Sequence, residues 1–290
     1  MGEEDAHNEN NYHEEAKEPD VKAFGQRFLR PLDHWLFTNA HVGWCAVFRA
    51  LLVVLLVYAF WPSDLVPKPR VLSLPYASFL YSNIILGYPY QVAMGLIGIS
   101  FGLGLTRGWS GLVLACMLVP HAFLSEGNQS RQVLVFVTVC TSLLPVVPLW
   151  RTGNPGRSGP IWPIRLIQLQ LSVLYGVNAL YKSTPSFLSG EIMMEISRLD
   201  RFHLDLSTGA LDLGVLQVPV WILGTGTVLV EGWLAVGFWF PRLRIPTALL
   251  GVSFHIGLTF VITIFMLDLA SCFLYLAFLL PIEHRPDRNA

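Results

Sequence analysis

A few ionisable side chains lie inside long apolar runs of the sequence, and these residues are the best placed to do chemistry. They are Arg49, Lys182, Glu231, His255 and Asp268. A charged side chain at the centre of a bilayer costs about 2.5–3.5 kcal/mol or more, so it needs a partner or a function. We predict that Arg49 and Glu231 are structural residues within the membrane that form a buried ion pair, because both should lie on the cytoplasmic side of the bilayer centre.

A polar stripe follows one face of the helix that we predict over 163–181. Gln168, Tyr175, Asn178 and Lys182 fall within about 80° of one another on a helical wheel. A Lys at the end of such a stripe and at the edge of the membrane can simply extend its charge to the surface. The functional alternative is that the stripe lines a cavity, where desolvation lets Lys182 act as a base.

His255 also allows two interpretations. Its ring can hydrogen-bond to a backbone carbonyl or to a neighbouring helix and so serve packing alone, or it can hold a polar ligand. The four cysteines show no CxxC spacing, which favours packing residues and no metal site. The net charge of -1 provides no basic surface for nucleic acid, so we exclude nucleic acid as a partner.

The elements that must position these residues are apolar helices. Hydrophobic residues make up 53% of the chain and charged residues only 13%, against roughly 25% charged in an ordinary soluble domain. Seven apolar runs cover 43–61, 83–105, 109–125, 132–150, 163–181, 213–240 and 246–282. We therefore predict an all-α, polytopic transmembrane helix bundle with about seven to eight spans in the lipid bilayer. The last run is too long for one span, and we expect it to break near Asp268.

The rest of the chain is divided by composition. Residues 1–20 are expected to form a disordered acidic tail, 21–282 the transmembrane domain, and 283–290 a short C-terminal tail. Within the domain, 21–42 has the spacing of an interfacial amphipathic helix. The polar connection 183–212 is predicted to be a partly helical extramembrane cap.

The orientation of the bundle follows from the distribution of Lys and Arg. When the runs are threaded with the N-terminus inside, about twelve of these residues fall on the cytoplasmic side and about six on the other. This predicts a multi-pass integral membrane protein with both termini in the cytoplasm. Lys182, expected at the outer end of its helix, then places the site on the non-cytoplasmic side.

Four ordered segments of the chain resemble the HTTM family, which includes the vitamin K-dependent gamma-carboxylases. The first segment is 45–52 with Arg49, and the second joins 101–107 to 128–130. The third carries an ungapped pattern, and its matching residues are Trp162, Tyr175, Lys182, Phe187 and Gly190. The fourth is Phe254-His255 followed by Ile264-Phe265. The likeness covers about 21–282.

The resemblance implies an oxygen-dependent enzyme whose cofactor is a reduced quinone similar to vitamin K hydroquinone. In the family the Lys that matches Lys182 is the base that deprotonates the hydroquinone, so Lys182 is the expected catalytic residue. We expect the quinone to contact Tyr175, Asn178, Asn128 and His255. The implied activity is carboxylase-like (a lyase) or monooxygenase-like, with a peptide substrate or a small soluble partner protein.

Two departures limit what the resemblance implies. Gln129 stands where the carboxylase has a His that is important for carboxylation, and no part of this sequence matches the carboxylase's large lumenal domain. An alternative is a non-catalytic or accessory membrane protein in the maturation of toxins or peptides. A transporter is a third reading, disfavoured because the spans show no inverted repeat.

Overall fold

A computed structural model describes most of the chain beyond residue 38. The described residues are 35–36, 39–60, 88–106, 108–123, 129–151, 158–198, 206, 208–212, 217–261 and 265–279. The predictions for the tails at 1–20 and 283–290, for most of the interfacial helix and for Asn128 lie outside them. The statements below concern the unit that begins at Phe37. Helices account for 82% of the described residues, which confirms a mostly helical protein.

The described part of this unit contains eight long helices and two short ones. The long helices are α1 (Val42–Phe60), α2 (Tyr88–Leu103), α3 (Trp109–Phe123), α4 (Gln129–Ser142), α5 (Trp162–Lys182), α8 (Val220–Gly237), α9 (Arg244–Val261) and α10 (Phe265–Leu279). The short helices are α6 (Pro185–Leu188) and α7 (Glu191–Ile196). Each apolar run of the sequence contains at least one long helix. The last run contains two, α9 and α10, which confirms the predicted break a few residues before Asp268.

The described part of the chain contains two short strand pairs, and the first of them joins the ends of two helices. Strand β1 (Asn39–His41) pairs antiparallel with β2 (Ser158–Pro160), and β3 (Ala210–Asp212) pairs antiparallel with β4 (Gln217–Pro219). Because β1 leads directly into α1 and β2 is followed at once by α5, the first pair brings the N-terminal ends of these two helices together. Helix α5 starts with a proline in its first turn, where the missing N–H costs nothing.

Helices that follow one another run in opposite directions. In α1 and α2, Val53 lies against Gly98 and Gly102, and in α2 and α3 Gln91 approaches His121. In each of the pairs α3–α4, α8–α9 and α9–α10, the start of one helix likewise lies against the end of the other. The described helices therefore form an up-and-down arrangement in which α1, α3, α5 and α9 point one way.

Within the described ranges, three helical segments are long and apolar enough to cross a membrane. They are Gly43–Phe60, Val220–Gly237 and Pro241–Val261. Three shorter apolar helices cover Trp109–Ala122, Arg131–Ser142 and Asp268–Leu279. Large apolar side chains on the outer faces of the three long segments are strongly exposed, as for Leu229 and Phe260. Such faces suit a lipid surrounding, because an exposed apolar patch of this extent is unusual in a soluble monomer.

The connection after α5 lies beside α8. It is partly helical, as predicted, since α6 and α7 fall within it. A methyl group placed on Gly224 would stand 2.3 Å from the carbonyl oxygen of Phe187, and one on Gly190 would stand 2.7 Å from Val220. Helices α6 and α7 therefore pack along the first half of α8, where the sequence predicts a cap outside the membrane.

Candidate functional site

Helix α5 carries the predicted polar stripe, and the structure divides its four residues into two groups. Gln168 is committed to structure, because its amide donates to the Ala277 carbonyl oxygen at 2.7 Å and accepts from Arg165 at 2.9 Å. Tyr175, Asn178 and Lys182 line one cavity. The cavity interpretation of the stripe is therefore supported for three residues, while Gln168 fastens α5 to α10.

Lys182 forms an ion pair with Glu231 of α8. Its Nζ donates to Glu231 Oε1 at 2.7 Å. The Lys182 side chain is 31% exposed and that of Glu231 only 6%, so the carboxylate depends on this partner far more than the ammonium does. The second carboxylate oxygen, Glu231 Oε2, is buried and has no hydrogen-bond partner among the described residues.

The ion pair lies well inside α8. The sequence predicts Lys182 at the outer end of its own helix, at the membrane edge. Glu231 lies eleven residues inside α8, about 16 Å along the axis from Val220 at 1.5 Å per residue. Lys182 ends α5, but the chain continues along α8 through α6 and α7. Lys182 therefore ends its own helix but pairs with a residue well inside α8.

A second polar group faces the same cavity. The Tyr175 hydroxyl lies 2.7 Å from His255 Nε2, and His255 Nδ1 lies 2.7 Å from Asp268 Oδ1. All three side chains are buried. If Asp268 is a carboxylate, His255 Nδ1 must donate to it, which leaves Nε2 as an acceptor for the Tyr175 O–H. This is the base and orienting-carboxylate arrangement of a catalytic triad, with a phenol in the first position.

Two further residues fix this group, and sequence reasoning did not assign either to the site. The Tyr275 hydroxyl lies 2.5 Å from the Tyr175 hydroxyl. The Thr259 hydroxyl lies 3.1 Å from Asp268 Oδ2 and 2.9 Å from the His255 carbonyl oxygen, and its single proton can be donated to either acceptor. The spacing of Thr259 four residues after His255 was a usable signal, since such residues share a helix face. Tyr275 gave no signal, because it lies in an unbroken apolar run.

The cavity has a volume of about 90 Å³ and opens to the surface of the bundle. Lys182 and Glu231 lie on its wall together with the Tyr175–His255–Asp268 group, and its remaining walls include Leu174 and Leu258. Two hydrogen-bonded acid–base groups therefore flank one small, mainly apolar space.

The predicted ion pair between Arg49 and Glu231 is wrong. Glu231 contacts Lys182, and Arg49 has no carboxylate within ion-pair distance in the part of the chain that the structure describes. Arg49 is fully buried, and its Nη2 donates to the Val147 carbonyl oxygen at 2.8 Å. The prediction placed Arg49 and Glu231 at similar depth in the membrane from the order of the spans. Which residues form an ion pair depends instead on which helices are in contact, and Glu231 packs against α5.

The surroundings of Arg49 still give it a structural role. Its guanidinium carbon lies 5.9 Å from the centre of the Phe101 ring, within the range of a cation–π contact. Gly104 adopts a φ of +70°, and a methyl group there would stand 2.6 Å from Arg49 Nη2 and 2.8 Å from the Val147 oxygen. Only glycine fits this turn, which closes over Arg49 at the end of α2.

The structure thus gathers most of the residues singled out in the sequence. Lys182, Tyr175, Asn178 and His255 share the cavity, and Glu231 joins them in place of its predicted partner. Among the described residues, no three His, Cys, Asp or Glu side chains lie close enough to hold a metal ion. Comparison of the chain with models of protein families, with curated proteins and with solved structures found no match in any of the three.

Proposed function

We propose that this protein is a membrane enzyme that binds a reduced quinone in the α5–α8–α9–α10 cavity and deprotonates it with Lys182. The observation that carries the proposal is the presence of Lys182 and the Tyr175–His255–Asp268 group on the wall of one cavity between apolar helices. Ionisable groups inside a membrane protein mark functional sites, and here five ionisable residues line one space. A lipid-soluble substrate would enter this cavity laterally from the bilayer, between the helices.

The polar atoms of the cavity fit a dihydroxylated aromatic ring. Glu231 Oε2 is a buried acceptor without a partner, which a substrate O–H would satisfy. Asn178 makes no side-chain hydrogen bond to another described residue, so its amide can bind a substrate oxygen. Because the cavity holds only about 90 Å³, a bicyclic ring enters when apolar side chains such as Leu174 and Leu258 change rotamer.

Lys182 can serve as a base because of its partner. An ammonium cannot accept a proton, but transfer of one proton from Nζ to Glu231 Oε1 leaves a neutral amine beside a neutral acid. Burial favours this exchange, since two neutral groups cost less desolvation than two ions. The pair therefore acts as one unit that takes up a proton from the substrate.

The overall reaction that we propose consumes one O₂ and one dihydroxyarene and yields one epoxide and one water, which balances atoms and electrons. The protein's contribution is to remove hydroxyl protons, to hold the ring and to exclude bulk water. We expect purified protein in lipid nanodiscs, given a reduced naphthoquinone, to consume oxygen and form epoxide in equal amounts. Oxygen uptake no faster than in protein-free nanodiscs, with no epoxide, would refute the proposal.

We further propose that the protein is a polytopic bundle of eight spans with both termini in the cytoplasm. The alternating directions of the eight long helices support an even number of crossings, and the excess of Lys and Arg on one side supports the orientation. A thiol reagent that cannot cross the membrane should label Ser189→Cys from outside intact cells and leave Ser158→Cys unlabelled. The reverse labelling pattern would invert the topology.

A further inference from the structure

The Tyr175–His255–Asp268 group is more than a packing contact between α5, α9 and α10. Both hydrogen bonds of this group have a fixed direction once Asp268 is a carboxylate. His255 Nδ1 then donates to Asp268, and His255 Nε2 accepts from Tyr175. The Tyr175 oxygen then keeps its lone pairs for other donors. Tyr275 uses one of them at 2.5 Å, and the Ser271 side chain, also on the cavity wall, hydrogen-bonds to the same hydroxyl. A substrate hydroxyl in the cavity would therefore donate to the Tyr175 oxygen in place of Ser271.

We infer that Tyr175, His255 and Asp268 form a proton relay that removes a second hydroxyl proton from the substrate, apart from the Lys182–Glu231 pair. A substrate hydroxyl gives its proton to the Tyr175 oxygen as the Tyr175 proton passes to His255 Nε2. The product of this transfer is an imidazolium beside the Asp268 carboxylate, and the reverse transfer resets the group. This inference rests on the proposed function, because a dihydroxyarene has two O–H protons to lose.

The geometry supports a relay over a purely structural network. Thr259 holds the second oxygen of Asp268 at 3.1 Å, so the carboxylate is fixed at both ends, as an orienting carboxylate must be. His255 and Asp268 each lie on the cavity wall while being almost fully buried. A proton delivered to His255 therefore stays next to a negative charge and away from bulk water.

The substitution that separates the two roles is Asp268→Asn. It preserves size and hydrogen bonding, but its amide can donate to His255 Nδ1 and so turn His255 Nε2 into a donor toward Tyr175. The relay then has no acceptor, while the packing remains. In hydrolase triads the same exchange lowers turnover by about 10⁴-fold, and we expect a loss of about 10³-fold or more here. Tyr175→Phe is a second variant that removes the relaying hydroxyl itself.

A readout that does not depend on turnover is the ionisation of a bound chromophoric naphthol, 4-nitro-1-naphthol, whose anion is coloured. At a pH where half of the free probe is ionised, we expect the bound anion to exceed the bound phenol by at least tenfold in the wild type. Asp268→Asn and Tyr175→Phe should each lower that ratio at least fivefold. Ser172→Ala is the matched control and should leave the ratio unchanged. Ser172 lies on α5 but not on the cavity wall, and its hydroxyl oxygen accepts a hydrogen bond from Trp239 Nε1 at 2.9 Å.

Each outcome separates the relay from the proposed function. If only Lys182→Met lowers the ratio, while Asp268→Asn and Tyr175→Phe leave it at the wild-type value with unaltered thermal unfolding, Lys182 remains the base and the relay is overturned. If the wild type binds no probe, the proposed function fails and the relay fails with it. A loss of ratio in Asp268→Asn and in Tyr175→Phe, with unaltered thermal unfolding, supports the relay whether or not Lys182→Met also lowers the ratio.

Discussion

Replacing Lys182 by Arg is expected to abolish turnover while leaving the protein as stable as the wild type. The guanidinium keeps the positive charge that Glu231 requires at Lys182 Nζ, 2.7 Å away in the structure. It cannot pass its proton to Glu231 and become a base, because Arg stays protonated at ordinary pH. We expect epoxide formation to fall by about 10²- to 10⁴-fold, the usual contribution of a general base.

The comparison requires Lys182→Arg, Lys182→Ala and Ser172→Ala at matched expression and matched thermal unfolding temperature. Ser172 lies on α5 as well, so Ser172→Ala controls for general damage to that helix. Full activity in the Arg variant would reduce Lys182 to a fixed positive charge. Loss of activity in both Lys182 variants, with the control active, would show that the Lys182 side chain must release its proton for the reaction to proceed.

Lys182→Met alone is expected to destabilise the protein, and Lys182→Met combined with Glu231→Leu to recover much of that loss. The single change leaves a carboxylate that is only 6% exposed without its counter-charge. Breaking a fully buried pair costs about 3–5 kcal/mol, and because Lys182 is partly exposed we expect about 2–3 kcal/mol. The measurement is the free energy of unfolding in detergent for both single variants and the double variant.

Arg49 supplies the control for this cycle. Because Arg49 contacts Val147 and Phe101, and Glu231 contacts Lys182, Arg49→Leu and Glu231→Leu should be additive within about 0.5 kcal/mol, as for independent sites. A double Lys182–Glu231 variant no more stable than Lys182→Met would show that the two residues are not energetically coupled.

Much of the helical framework could be predicted from the sequence because it rests on local patterns. Each apolar run contains a helix, and the excessive length of the last run correctly indicated the break between α9 and α10. The polar stripe of α5 was visible because residues seven apart share a helix face. Spacing along one helix is a local property, so Tyr175, Asn178 and Lys182 were found together.

Contacts between helices were predicted less well, since they depend on which spans touch. Arg49 and Glu231 were matched by depth, yet α8 packs most extensively on α5 and brings Glu231 to Lys182. The Asp268–His255 contact joins α9 to α10, and no periodicity along a single helix reports it. The packing of α6 and α7 along α8, after the apolar run of α5 ends, is likewise a contact between helices that the spacing of residues does not report.

The central claim is that the reduced quinone binds in the cavity between α5, α8, α9 and α10, and photolabelling locates it most directly. A photoreactive, azido-substituted naphthohydroquinone kept under anaerobic conditions should label peptides from 174–182 and 255–271, and unlabelled dihydroxynaphthalene should compete for both. Lining residues of the cavity lie in both segments. Labelling confined to other helices, or labelling of these peptides that an excess of competitor does not reduce, would contradict the account.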